Sequence, residues 1–429
     1  MELERLDFSI EKLGEAHFPS PMKGTRFVED GDRVVFHSHP EKIKAYLEKG
    51  QDPPALELAG PRELLFFDPS RVRCGIVTCG GLCPGLNDVI RAIVLCFHYH
   101  YGISPIYGFR YGYEGLNPKF GHRVVELTPE AVDRIHQLGG TMLGSSRGPQ
   151  PVATMVDTLE ELGINILITI GGDGTLRGAH AIVEEIKKRG KKIAVVGVPK
   201  TIDNDISYIE RSFGFETAVA EARRVTQSAH TEAVSARGGI GLVKLMGRES
   251  GFIAAYTVLA DNDVNFCLVP EVPFTLERFL QVLEARMVKR GHAVIVVAEG
   301  AGQDLLGQPL ERDASGNPKL GDIGTFLRDK IRAHFRERGL RIDLKYIDPS
   351  YTIRSGPPNA QDAALCLLLG HHAVHAAMSG RTDMVVGYWK GHFTHVPISL
   401  AVSKRKRIDP GGHLWESVLA VTGQPRDMR

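Results

Sequence analysis

The stretch VPKTIDNDI, Val198 to Ile206, ends an apolar run with two carboxylates and an amide. Such groups are costly in a buried position unless they meet a cation or take a proton. A carboxylate held there can draw the proton from a hydroxyl as a general base, which makes Asp203 and Asp205 candidates. As the lesser alternative, either aspartate could simply start a helix as its N-cap. Upstream, Gly171-Gly172-Asp173-Gly174-Thr175 follows the apolar INILITI. Its glycines let a polyphosphate lie against main-chain amides where a helix begins. Asp173 adds a hard oxygen of the kind that holds magnesium on phosphates. A third segment, CGGLCPGLN from Cys79 to Asn87, places three glycines at another hand-over from strand to helix. By itself it reads as an anion cradle or as a tight turn.

These segments need elements to hold them at strand ends. RCGIVTC reads as a buried strand, GGLCPG as its turn, and LNDVIRAIVLCFHYH as a helix by its apolar spacing. INILITI, GGDGT and LRGAHAIVEEIKKRG repeat the plan, and KKIAVVGVP adds a strand. Apolar strands alternating with amphipathic helices predict a doubly wound α/β domain with a parallel sheet. Ligands in such sheets lie beyond the carboxyl ends of the strands, where all three segments fall. After Phe215, a long helix (ETAVAEARRVTQSAHTEA) and strands at LVKLMGRESG, VNFCLVP and HAVIVVAEG predict a second α/β domain. QDLLGQPLERDASGNPKLGD is polar and glycine-rich, a surface loop. Residues 1–70 have weak periodicity and read as an extension packed on the core. KRKR at 404–407 reads as a solvated face.

At 429 residues the chain has room for two domains, and 43% hydrophobic with 24% charged residues is ordinary globular composition. A net charge of +1 argues against nucleic acid as the main partner. No apolar run is long enough for a membrane span, and MELERLDFSIEKLGE is unlike a signal peptide. Six cysteines in a chain of this size do not make a disulfide framework and read as reduced thiols of a cytoplasmic protein. Cys79 and Cys83 have no second pair to complete a zinc site.

In this order, GGLCPGLN, GGDGT, PKTIDND, LMGRESGFIA, VAEGAG and YIDPSYTIRSG resemble the 6-phosphofructokinase family. More narrowly they are similar to the ATP-dependent branch whose sequences are close to the pyrophosphate-dependent enzymes. The resemblance spans about residues 71–403. It implies an α/β fold of two doubly wound parallel-sheet (Rossmann-like) domains with the active site in the cleft between them. Residues 71–214 plus 353–403 would form the nucleotide domain and 215–352 the sugar-phosphate domain, with 1–70 as an extension and 404–429 as a tail. The activity it implies is phosphoryl transfer from MgATP to the C1 hydroxyl of fructose 6-phosphate. Carried over by matched position, Asp203 would be the base, and Thr201, Ile202 and Asp205 would position substrate, phosphates and metal. Asp173 would bind Mg2+, while Gly80, Arg147, Gly148, Gly172, Gly174 and Thr175 would line the nucleotide. Met246, Gly247 and Arg248 would contact the sugar and the transferring phosphate. Glu299 would hold a sugar hydroxyl, and Lys345, Tyr351 and Arg354 would grip the 6-phosphate. Cations and amides around a metal suit a reaction that asks mainly for positioning and charge neutralisation. A homodimer or homotetramer is implied.

The chain departs from the bacterial-type pattern in two places. The arginine that many of those enzymes carry nine residues before the arginine of MGR is Gly239 here, with Arg237 two positions away. Tyr351 stands where they have histidine, as in the branch named above. For the donor, the two specificity positions disagree. Pyrophosphate users place an aspartate where this chain has Gly174, filling the region of an ATP α-phosphate, so Gly174 favours ATP. Lys200 is typical of pyrophosphate users, although some ATP users in this branch share it. Exclusion by a side chain is the harder constraint, so ATP is the expected donor and pyrophosphate the alternative. A kinase for sedoheptulose 7-phosphate, a dinucleotide or a lipid is a weaker alternative. Dinucleotide and lipid kinases share GGDGT but give no reason for MGRESG and YTIR.

Overall fold

The computed structural model describes residues 6–307, 311 and 318–429. Residues 308–310 and 312–317 of the polar loop 303–322 therefore lie outside the described residues. Among the described residues, no helix is long and apolar enough to cross a membrane. The chain forms two compact units. The first takes the residues up to Thr201, Ile206–Phe213 and Pro357–Lys404; the second takes Ile202–Asp205, Gly214–Gly356 and Arg405–Arg429.

The first unit is built on a nine-stranded sheet. Its central strands, Met384–Trp389, Ala194–Pro199, Ile166–Gly171, Cys74–Thr78 and Ile106–Phe109, run parallel, with Val196 opposite Ile168 and Ile168 opposite Ile76. Val77, Leu167, Val195 and Val385 pack with the apolar side chains of helices Val152–Glu161 and Asp173–Lys188 in one core. Successive strand residues point to opposite faces, so Ile76, Ile168 and Val196, also fully buried, face the other way. Helix Ala360–Met378 packs on these strands and against helix Leu86–Leu95. Both faces are covered, which explains why the strands read as unbroken apolar runs.

The edges of this sheet are antiparallel. Strand His392–Pro397 returns beside Met384–Trp389 through Lys390 and Gly391, at φ 48° and 84°. A two-residue turn with both central residues at positive φ makes a hairpin, so the return strand cannot run parallel. Ala55–Leu58 and Arg33–Val35 extend that edge, also antiparallel. Residues before 70 thus supply two strands of the sheet, and Leu56 is fully buried in its core.

The second unit has a four-stranded, wholly parallel sheet in the order Phe266–Leu268, Ala293–Ala298, Gly239–Leu245, Asp343–Ile347. Val243, Leu245, Val294 and Val296 form one core with helices Phe215–Ser235, Phe252–Ala260 and His413–Thr422, the last contributing Trp415. Ile240, Leu242, Ile295 and Val297 form another with helices Leu276–Arg290 and Ile323–Glu337. This is a doubly wound arrangement on a small sheet.

Candidate active site

In the first unit, Gly171 ends strand Ile166–Gly171, Gly172 caps the next helix, and Asp173 is its first residue. GGDGT is therefore the N-terminus of a sixteen-residue helix, where free amides and the helix dipole favour anions. Each glycine answers a different demand. A Cβ on Gly171 would come within 2.1 Å of the Thr175 hydroxyl, and one on Gly172 within 3.2 Å of the Lys200 carbonyl. A Cβ on Gly174 would meet nothing within 4 Å, so packing does not require glycine there. Asp173 accepts a 3.1 Å hydrogen bond from Arg177 Nε and keeps part of its surface exposed.

The turn after strand Cys74–Thr78 lies against the same structure. Cys79 donates its amide to Ile170, and Gly80, at φ 88°, donates its amide to the Ser146 carbonyl while its own carbonyl accepts from the Ser145 hydroxyl. Lys200 is buried, and its ammonium donates to the Gly81 carbonyl at 2.6 Å. A Cβ on Gly80 would stand 3.1 Å from that ammonium. The fold thus brings together Gly80, the loop bearing exposed Arg147 and Gly148, the GGDGT helix start and Lys200. Thr201 follows Lys200, and its carbonyl accepts from the Ser212 hydroxyl. Cys83 donates its thiol to the Phe213 carbonyl, and burial pushes the Cys79 thiol up to about 12; these are core thiols.

In the second unit, no helix begins in the Ile202–Asp205 segment: the next one starts at Phe215 behind Gly214. The N-cap alternative for Asp203 and Asp205 is thereby removed. Oδ1 of Asp203 is closed off from solvent. Burial, then the charges of Asp205 and Glu299, push its carboxyl well above the usual carboxylate range, opposed by Arg405 and by the Arg248 amide, which donates to it. Asp205 is buried and paired with the Arg405 guanidinium, which also reaches Glu249 at 3.4 Å. Glu249 meets Arg407 at 3.1 Å, and the Lys406 amide donates to the Asp205 carbonyl. The basic run at 404–407 is therefore no mere solvated face, since Arg405 buttresses the acidic segment.

Met246 and Gly247 follow strand Gly239–Leu245, and Gly247 takes φ 126°, with no room for a Cβ beside the Ser250 carbonyl. Arg248 comes next and donates to the Pro318 carbonyl at 2.6 Å. Glu299 follows the neighbouring strand, its amide bonded to Leu245. Burial raises its carboxyl, against the charges of Arg248, Lys244 and Arg354. Arg354 lies over the Tyr351 ring at 4.9 Å, and Tyr351 is 74% exposed, an aromatic left open to solvent. Lys345 is exposed and paired with Asp343 at 3.1 Å. Sequence reasoning missed Lys244, which bridges Asp322 at 3.2 Å and Asp348 at 2.8 Å and bears on Glu299. A lysine inside an otherwise apolar strand was its only signal. Gly239 has no space for a side chain, since a Cβ would strike the Ala233 carbonyl at 2.1 Å. An arginine is thus excluded there, and Arg237 in the preceding turn is exposed.

Glycine turns opening helices on one α/β unit, and a buried, raised carboxyl with an arginine beside it on the other, define a class: a two-unit α/β protein with anion-suited helix starts and a candidate base. The chain belongs to the phosphofructokinase family, whose model, Phosphofructokinase, matches residues 73–377. The ATP-dependent 6-phosphofructokinase of Borreliella burgdorferi is 48% identical over 440 residues, covering 99% of this chain and 98% of that one. The protein of the same name from Amycolatopsis methanolica is 47% identical over 445 residues, covering 100% and 97%. Among solved structures, the pyrophosphate-dependent phosphofructokinase of Marinobacter aquaeolei matches 81% of this chain and 91% of its own with a TM-score of 0.67 at 18% identity. That likeness bears on the fold alone.

Proposed function

We propose that this chain is an ATP-dependent 6-phosphofructokinase of glycolysis, moving the γ-phosphoryl group of MgATP to the C1 hydroxyl of fructose 6-phosphate to give ADP and fructose 1,6-bisphosphate. The relatives that are 45–48% identical over nearly the whole chain carry the ATP-dependent name. The observation that carries the catalytic assignment is Asp203. A carboxyl raised by burial and by two neighbouring carboxylates is a stronger base once ionised. In this reading Asp203 takes the C1 hydroxyl proton as the sugar oxygen attacks phosphorus, and Arg248 neutralises charge on the phosphoryl group. Thr201, Ile202, Asp205 and Met246-Gly247 position the reactants; Glu299 holds a sugar hydroxyl; Arg354, Tyr351 and Lys345 hold the 6-phosphate. Gly80, Arg147, Gly148, Gly172, Gly174 and Thr175 line the nucleotide.

For the metal, Asp173 offers one partly exposed carboxylate at a helix N-terminus, which fits an ion held by one or two carboxylates and the substrate phosphates. Asp173 would hold Mg2+, which supplies charge neutralisation on the transferred phosphate. The open space at Gly174 supports ATP over pyrophosphate. The six buried thiols, none of them in a disulfide, agree with a cytoplasmic location. Exposed Tyr99, Leu367 and Leu368 on two packed elements of the first unit support a homodimer or homotetramer. Rates with MgATP and fructose 6-phosphate, sedoheptulose 7-phosphate, a dinucleotide or a lipid as acceptor test the activity. The expected product is the 1,6-bisphosphate; faster phosphorylation of another acceptor contradicts the assignment.

A further inference from the structure

Helix Leu86–Leu95 runs on into a π turn, Cys96–His100. Such wide turns are uncommon and frequent at functional positions. This one faces helix Ala360–Met378, which carries the sequence His371-His372-Ala-Val-His375. Two histidines four apart on a helix share a face and make a known metal-binding spacing. Cys96 Sγ and one ring nitrogen each of His100 and His375 all lie within 4.8 Å of one another. Sγ and His100 Nδ1 are 3.7 Å apart. Sulfur and nitrogen ligands on a tetrahedral zinc ion, with bonds of about 2.3 and 2.05 Å, stand about 3.5 Å from each other. The pair is thus already at ligand spacing. The ring of His371 lies 5.3 Å from that of His100 and 6.4 Å from that of His375, so its side chain must rotate to supply a fourth ligand. The Tyr101 hydroxyl meets His375 Nδ1 at 2.8 Å, the outer hydrogen bond that commonly orients a ligating imidazole.

We propose that Cys96, His100, His371 and His375 form a binding site for zinc or a similar borderline divalent ion on the first unit, separate from the residues assigned to phosphoryl transfer. One sulfur and three imidazoles select zinc, cobalt or copper over magnesium, which prefers oxygen. The ion would clip the helix that follows the Cys79–Asn87 turn to helix Ala360–Met378. Half-buried His100 and His371 leave a way in. A satisfied cluster of core histidines is the competing account. It predicts no metal affinity.

The full chain, treated with chelator and then desalted, is titrated with zinc chloride alone. One zinc ion per chain retained through a second desalting is expected. Cys96→Ser and His100→Ala are each expected to weaken binding at least tenfold, while Asp173→Asn retains the ion, which separates this site from the magnesium carboxylate. Substituting cobalt in the wild-type protein gives a readout that needs no variant: a thiolate-to-cobalt charge-transfer band in the near ultraviolet. No retained zinc, undiminished zinc in both variants, or a cobalt complex without the thiolate band would each overturn the proposal.

Discussion

At the scale of single residues, the account turns on Asp203 and its neighbours. Asp203→Asn keeps the shape but cannot accept a proton, so turnover is expected to fall about 100- to 10,000-fold with sugar-phosphate binding largely kept. Stability should move the other way. A carboxyl raised in the folded state loses its stabilising contribution as pH rises through the folded pKa. The asparagine variant should therefore gain in melting temperature on wild type as pH rises from the ordinary carboxylate range through the folded pKa, as read by thermal scans. A base must be ionised, so kcat/KM should rise with pH along an acid limb set by Asp203. Arg405 lowers that carboxyl and Asp205 raises it. Arg405→Ala should shift the limb to higher pH and Asp205→Asn to lower pH; shifts in the same direction would remove the pair from the tuning of the base. Asp203 stood out in the sequence as a candidate because two aspartates behind an apolar strand are costly unless partnered, and the N-cap alternative fell only when the fold put no helix there. Arg405 was not, because four basic residues in a row look like surface until the fold returns one of them to Asp205.

At the scale of elements, the strand-to-helix hand-overs were the most legible part of the fold. Continuous apolar runs broken by glycine or proline identify the central strands Cys74–Thr78, Ile166–Gly171 and Ala194–Pro199 without a structure. The early strands escaped notice because Arg33–Val35 and Ala55–Leu58 have three and four residues, too few to show a period of two. The sequence also could not separate the jobs of glycines within one motif. Gly171→Ala drives a Cβ into Thr175 and should cost about 1–3 kcal/mol, as overpacking does. Gly174→Ala enters open space inside a helix and should be neutral or stabilise by up to about 1 kcal/mol. Paired denaturant melts check both. Equal destabilisation would mean that packing fixes Gly174 as well. On the short helix Thr352–Ser355, Arg354→Ala should raise the KM for fructose 6-phosphate and leave that for ATP in place. Equal losses for both substrates would remove Arg354 from the sugar site.

At the scale of the whole molecule, the segment before residue 70 is tied into the first unit by charge as well as by strands. Glu57 is buried and accepts from Arg381 and, at 2.8 Å, from His395, with Arg62 at 3.5 Å. Burial alone would raise its carboxyl, but His395 and Arg381 hold it down to about 2. Its stabilising contribution is thus present above the ordinary carboxylate range and lost as pH falls toward 2. Glu57→Ala leaves buried Arg381 and Arg62 to share the largely exposed Asp30 and should cost about 3 kcal/mol, seen as a lowered melting temperature; an unchanged melt would contradict the pairing. No local pattern could reveal this, because Glu57 and Arg381 are 324 residues apart. The family, its two α/β units and the candidate base could be read from motifs alone, whereas the choice of phosphoryl donor rests on the absence of a side chain at Gly174. Initial rates with ATP and with pyrophosphate, at saturating fructose 6-phosphate and magnesium, test that choice most directly in wild type and Gly174→Asp. The wild-type chain should use ATP and little pyrophosphate, and the variant, which the open space lets fold, should lose ATP use through a carboxylate placed against the α-phosphate. A wild-type preference for pyrophosphate, or a variant that uses ATP as well as the parent does, would contradict the account.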